Sequence, residues 1–171
     1  MLESFYPDLT MNSAYQIDFK EYYEKGYRGV IFDIDNTLVP HGAPADKRSI
    51  VLIESLKKMG FGVVFLSNNK EPRVKMFNDA VHAQYIYKAG KPGKKGYKKA
   101  MEMLGTNTEN TLFVGDQLFT DVWGARNTGL FSILVNPIDK KEEIQIVLKR
   151  YLERIVLVFY RRKCRRKSKN D

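Results

Sequence analysis

Five short runs rich in β-branched and aromatic residues, at positions 30–32, 63–66, 85–87, 111–114 and 133–135, alternate with segments whose apolar residues recur at helical spacing. Runs this short, with no polar residue alternating inside them, predict strands buried on both faces. Between them, Asp46 predicts an N-cap for a helix through Ile50, Ile53, Leu56 and Met59, closed by Gly60. Pro72 stands in the first turn of a helix over 71–81, and a basic amphipathic segment after Pro92 and Gly93 runs to Gly105. Further helices are expected over about 119–127 and about 140–162, and the aromatics Tyr15, Phe19, Tyr22 and Tyr23 suggest one before Gly26. Strands alternating with helices imply right-handed crossovers and an α/β fold: a mostly parallel five-stranded sheet with helices on both faces.

Charge divides the chain unevenly. There are 29 Lys and Arg against 20 Asp and Glu, a net charge of +9. Seven of the basic residues are Arg161, Arg162, Lys163, Arg165, Arg166, Lys167 and Lys169, and without them the rest carries only +2. We therefore expect a body over 1–140 and a separate C-terminal helix with a polybasic tail over 141–171. Such a tail suits an anionic surface, lipid or nucleic acid, or is a solvated end. The single cysteine, Cys164, excludes an intramolecular disulfide. With no secretory pattern at the start and no run of apolar residues long enough for a bilayer, the expected location is cytoplasmic.

In an open parallel sheet, chemistry gathers beyond the carboxyl ends of the strands. Polar residues cluster there after the apolar runs: Asp33 and Asp35, then Ser67, Asn68 and Asn69, then Lys91, then Asp116 and Asp121. Carboxylates converging at one edge need a cation between them, and hard oxygen ligands in an open site suit Mg²⁺. Lys91 adds positive charge for a bound anion, and the Ser67 hydroxyl adds a donor. Together these groups describe phosphoryl transfer. One aspartate serves as nucleophile; the second, two residues on and on the same side of an extended strand end, handles the proton.

The segment from Phe32 to Leu38 (FDIDNTL), Ser67 after an apolar strand, Lys91-Pro92, and Gly115-Asp116 with Asp121 stand in this order on these elements. The arrangement resembles the haloacid dehalogenase (HAD) superfamily of phosphatases, over roughly residues 26–136. The resemblance implies a HAD-like Rossmannoid three-layer fold and an aspartyl-phosphate mechanism. By it, Asp33 is nucleophile and metal ligand, and Asp35 is general acid/base and a metal ligand through its backbone carbonyl. Asp116 is a metal ligand, Ser67 and Lys91 hold the phosphoryl group, and Asp121 supports the metal shell or orients Lys91. Asn68 joins the phosphate-binding set, although Asn68 and Asn69 also suit a turn, and Thr37 supports the loop. Lys88 competes with Lys91 for the phosphate role, but Pro92 and Gly93 follow Lys91 directly and start the next helix. His41, in the loop after the first motif, could touch substrate.

The intervals from Asp33 to Ser67 and from Ser67 to Lys91 are filled by a loop, helices and strands, which leaves no room for a cap domain. An open site accepts a phosphate presented on something large. The aromatic-rich N-terminal segment, Asn36 within the first motif and the Val39-Pro40 exit look like the YqeG-type branch, subfamily IIIA, which is related to phosphatidylglycerophosphate phosphatases. The resemblance thus implies a lipid phosphate as substrate.

In the C-terminal helix, Ile144, Leu148, Tyr151, Leu152, Ile155 and Phe159 form a stripe whose first half is expected to pack as core. From Ile155 to Tyr160 every residue is apolar, and this part is expected to dock in protein, in an oligomer or in a membrane interface. Three functions compete: a Mg²⁺-dependent phosphatase acting on a lipid phosphate at an anionic membrane surface, a soluble phosphatase of sugar phosphates or nucleotides, and a nucleic-acid-binding protein using the tail. The intact motif positions speak against the last.

Overall fold

A computed structural model describes residues 2–139 and 144–167; the expected helix start over 140–143 and the tail residues 168–171, Lys169 among them, lie outside the described residues. Six strands form one sheet: β1 (Leu9–Met11), β2 (Gly29–Phe32), β3 (Gly62–Leu66), β4 (Gln84–Ile86), β5 (Thr111–Gly115) and β6 (Phe131–Val135). Their order is β1-β6-β5-β2-β3-β4, and every neighbouring pair is parallel. The helices are α1 (Phe19–Glu24), α2 (Lys47–Met59), α3 (Glu71–Val81), α4 (Lys94–Leu104), α5 (Trp123–Thr128) and α6 (Ile144–Lys167).

The period of two along β2 serves both faces of the sheet. Val30 and Phe32 join the core beneath α2 and α3 with Phe65, Val74 and Phe77, while Ile31 joins Val64, Phe113, Tyr97 and Ala100 on the other face. That double burial is why these strands read as unbroken apolar runs. α2 starts where expected: the Asp46 carboxylate accepts the Ser49 N–H at 2.8 Å, and the Ser49 hydroxyl oxygen accepts the Asp46 N–H at 3.0 Å. It ends at Gly60, whose φ of 101° is open to glycine and costly for other residues.

The sheet has one strand more than the five expected. β1 is a half-exposed edge strand of three residues, too short for a pattern. What secures it is Asp8, whose carboxylate accepts the N–H of Ser132 at 2.8 Å and its hydroxyl at 3.0 Å. Two expected helices are broken. The segment around Tyr15 divides into a 3₁₀ turn (Ala14–Gln16) and α1, and the segment after β5 divides into a π-helical turn (Leu118–Val122) and α5.

α6 departs from the packing expected for the first half of its stripe. Val156 and Glu153 are buried, and Leu157 packs with Leu118, Val122 and Leu134. Tyr151, Leu152, Ile155, Val158 and Phe159 face outward instead. The inward face is defined by a buried acid with a partner rather than by apolar residues alone: the Glu153 carboxylate accepts the Leu118 N–H at 2.8 Å. The side chains of Ile144 and Leu148 lie outside the described ones. Among the described residues, no helix is long and apolar enough to cross a membrane.

Candidate active site

β2, β3 and β5 lie side by side at the centre of the sheet, so the segments leaving their carboxyl ends are neighbours. Asp33 and Asp35 leave β2, Ser67 leaves β3 and Asp116 leaves β5. Asp121 sits in the π-helical turn, and Lys91 follows β4 ahead of α4. The fold brings Asp33, Asp116, Asp121 and Lys91 together, all buried.

Lys91 stands between two acids. Its Nζ donates to Asp33 Oδ1 and to Asp121 Oδ1, each at 2.6 Å. On the far side, Arg150 of α6 pairs with Asp116 Oδ2 and also donates to the Asp116 carbonyl. The Thr37 hydroxyl lies 3.3 Å from both Asp33 Oδ2 and Asp116 Oδ1. Asp33 and Asp116 therefore each have one oxygen bound to a protein cation, and their other oxygens both lie beside Thr37. Ligand oxygens of Asp33, Asp116 and Asp121 can all come within 4.8 Å of one another.

The charges favour a cation. Four buried carboxylates, Asp33, Asp116, Asp121 and Glu153, share the two cations Lys91 and Arg150, so negative charge is left over. Burial, with the charges of Asp121 and Asp35, outweighs Lys91 and pushes Asp33 up to about 7. Burial, with Asp33 and Asp121, raises Asp116 well above its ordinary value against the pull of Arg150. For Lys91 burial works downward, but the attraction of Asp121 and Asp33 prevails and holds it firmly protonated. An all-oxygen site with unneutralised negative charge suits a hard divalent cation such as Mg²⁺.

Gly115 makes this packing possible. A Cβ there would lie 2.5 Å from Asp121 Oδ2 and 2.7 Å from Asp121 Cβ, so any side chain would expel the aspartate. Asp121 Oδ2 meanwhile accepts the Gln117 N–H at 3.0 Å.

Asp35 occupies a second cluster. Its Oδ1 accepts from the Gly42 N–H at 2.7 Å and from Arg73 Nη2 at 2.9 Å, and its Oδ2 accepts from Asn69 Nδ2 at 2.7 Å. His41 Nδ1 is 3.7 Å from the same carboxylate. The Ser67 hydroxyl is buried and accepts the Asn69 N–H at 3.1 Å. Asn68, expected to hold phosphate, instead turns both ends of its amide to the Lys91 main chain: Nδ2 donates to the carbonyl at 3.0 Å and Oδ1 accepts the N–H at 2.8 Å. An amide tied to a neighbouring main chain positions that neighbour. Lys88 is exposed, whereas Lys91 is buried among the acids.

Arg73, Arg150 and Glu153 were not among the expected site residues. Arg73 stands one turn into α3 and Arg150 on a helix far along the chain, and neither belongs to a motif. Only the presence of a charged residue on an otherwise apolar helix face could have pointed to Glu153.

The edge described here, on an all-parallel α/β sheet, is of the HAD type. A family model for HAD-hydrolase-like proteins matches residues 88–144. The chain is 36% identical to the probable phosphatase YqeG of Bacillus subtilis, across 95% of this chain and 96% of that protein. It is also 26% identical to phosphatidylglycerophosphate phosphatase 1 of Arabidopsis thaliana, across 91% of this chain but 47% of that one. In fold it is similar to an uncharacterised protein of Listeria monocytogenes (TM-score 0.52, 16% identity, 68% of this chain and 86% of that one). It is likewise similar to the cobalt-bound form of the deoxy-D-mannose-octulosonate 8-phosphate phosphatase of Haemophilus influenzae (TM-score 0.50, 14% identity, 66% and 80%). The chain is a HAD-type phosphatase. Within that class it belongs to the YqeG-type branch.

Proposed function

We propose that the chain hydrolyses a phosphomonoester through an aspartyl-phosphate on Asp33, with Mg²⁺ as cofactor and a lipid phosphate as substrate. The observation that carries the mechanism is the pairing of carboxylate oxygens. Lys91 and Arg150 take Asp33 Oδ1 and Asp116 Oδ2, which leaves Asp33 Oδ2 and Asp116 Oδ1 side by side.

Asp33 and Asp116 would hold the cation, with the Asp35 backbone carbonyl beside them. Bound there, Mg²⁺ supplies positive charge that offsets carboxylate and phosphate repulsion. An Asp33 oxygen attacks phosphorus, and the bond to the leaving oxygen breaks. Asp35 donates a proton to that oxygen, exchanging its Arg73 contact for the substrate to do so. Asp35 then takes a proton from water, whose oxygen attacks the phosphorus. The bond from phosphorus to Asp33 breaks and inorganic phosphate leaves. Lys91 and Ser67 serve the transferred oxygens, with Asn68 and Asp121 fixing Lys91 and Thr37 spacing the two cation ligands.

The lipid reading is supported by the Arabidopsis relative and by α6. Tyr151, Leu152, Ile155, Val158 and Phe159 are large, exposed and on one stripe. Exposed Arg154, Arg161, Arg162, Lys163 and Arg165 flank them. An apolar stripe edged by cations suits an anionic bilayer surface. Hydrolysis of an aryl phosphate in Mg²⁺ and in EDTA tests the chemistry. Hydrolysis of phosphatidylglycerophosphate in anionic vesicles, beside sugar phosphates and nucleotides, tests the substrate. Preference for a soluble phosphate over the lipid would overturn the lipid reading and leave the phosphatase.

A further inference from the structure

The seat of Arg150 is unusual for a site that needs a cation. A guanidinium already occupies one side of Asp116, the aspartate most completely enclosed by protein after Asp121. It arrives from α6, outside the strand-end segments that supply the acids. It is held there from behind, because Arg150 Nη1 also reaches Glu153 Oε2 at 3.1 Å while Glu153 Oε1 is fixed on the Leu118 N–H. The contact is thus built into the packing of α6.

We propose that Arg150 is a built-in counter-ion that sets the affinity of the cation site: it neutralises Asp116 when no divalent cation is bound and opposes one when it arrives. This rests on the reading of Asp33 and Asp116 as cation ligands, and is independent of the lipid substrate. The charge count gives the direction. Asp33, Asp116, Asp121 and Glu153 share the two cations Lys91 and Arg150; without Arg150 one more negative charge is left over, and the attraction for a divalent cation grows. The lost orientation of Asp116 works the other way, but Thr37 still holds its other oxygen. The long-range charge therefore decides. A weaker cation site also suits the reaction, since the phosphate that completes the cation's shell brings the negative charge Arg150 offsets.

The test is Mg²⁺ binding by isothermal titration calorimetry to the full chain, without substrate. Arg150→Gln should bind Mg²⁺ roughly tenfold or more tightly than the wild type, since a unit charge about 6 Å from a divalent ion is worth that much even when screened as in water. Arg150→Lys, which keeps the charge, should stay near the wild type. Arg154→Gln, an exposed arginine on the same helix, should change nothing. α6 keeps Glu153 on Leu118 and the buried Val156, so the variants should fold, as circular dichroism and thermal melting would show. If the Gln variant is unstable, Arg150→Met keeps the stem packing and removes the same charge. Equal or weaker binding in the folded, uncharged variants overturns the proposal while leaving the cation site intact. Absence of binding in every protein overturns both together. Binding that appears only once Arg150 is neutralised supports the proposal.

Discussion

Gly124, in α5, supports the site without touching it. A Cβ there would lie 2.4 Å from the Tyr97 hydroxyl oxygen and 2.6 Å from two of its ring carbons. Tyr97 cannot swing aside. Its ring is fully buried against Phe113, and its hydroxyl donates to the carbonyls of Thr120 at 2.8 Å and Asp121 at 3.2 Å. Overpacking of a rigid core costs about 1–3 kcal/mol. Alanine in place of a helical glycine returns roughly 0.5–1 kcal/mol of that. At about 2–4 °C per kcal/mol for a chain of this size, Gly124→Ala should lower Tm by several degrees. It should also lower phosphatase activity, because the ring it presses on secures the turn that presents Asp121 to Lys91.

The Tyr97→Leu background isolates the cause. Leucine lacks the hydroxyl and the ring edge, so the overlap disappears and only the helix preference remains. Gly124→Ala should then become neutral or stabilising, reversing the sign seen in the wild type. Thermal or urea unfolding of the four proteins gives the coupling energy, and neighbouring residues commonly couple by about 0.5–3 kcal/mol. Equal penalties in both backgrounds, within roughly 0.3–0.5 kcal/mol, would refute the steric argument.

Asp33→Asn should reduce hydrolysis of an aryl phosphate to background, and a wild-type rate would rule out the covalent route. Asp35→Asn keeps the nucleophile but not the proton carrier, so an acid-quenched sample should show phosphate on the peptide containing Asp33 by mass spectrometry; phosphate elsewhere would contradict these roles. In EDTA the folded Asp33 keeps its proton to about 7 while its ordinary value is 3.8, so the folded state binds more protons between these limits. Stability from this group should fall as pH rises from about 4 to about 7, and Mg²⁺ should raise Tm more at pH 7.5 than at pH 5; an equal rise would exclude the linkage. Deleting residues 161–171 should leave aryl phosphate turnover nearly unchanged but reduce co-sedimentation with anionic vesicles, and that binding should weaken in the intact protein once salt shortens screening to about 8 Å. Equal sedimentation of both forms would remove the membrane argument.

The central strands were legible because both their faces are buried, which leaves short β-branched and aromatic runs closed by polar or turn residues. The acids were legible because parallel strands deliver whatever follows them to one edge. β1 was not legible: its three residues are half exposed, and its place depends on Asp8 meeting Ser132 from the far end of the chain. The inward face of α6 was not legible for a related reason. Counting apolar residues assigns Tyr151 and Leu152 to the interior and charges to the surface, but Glu153 and Arg150 turn inward because each finds a partner there. A burial pattern follows from which polar groups are satisfied as much as from hydrophobicity.

The same principle explains how the fold sustains so concentrated a set of acids. An isolated buried carboxylate is too costly to remain ionised, and three together more so. Here two cations reach them by separate routes. Lys91 is held by Asn68 across the β3 and β4 ends, and Arg150 is held by Glu153 on α6. Each cation takes one oxygen of a proposed cation ligand, and the oxygens left over are those beside Thr37. Two protein cations do not balance the acids they meet, and that shortfall gives a divalent ion, and the phosphate that follows it, a reason to bind.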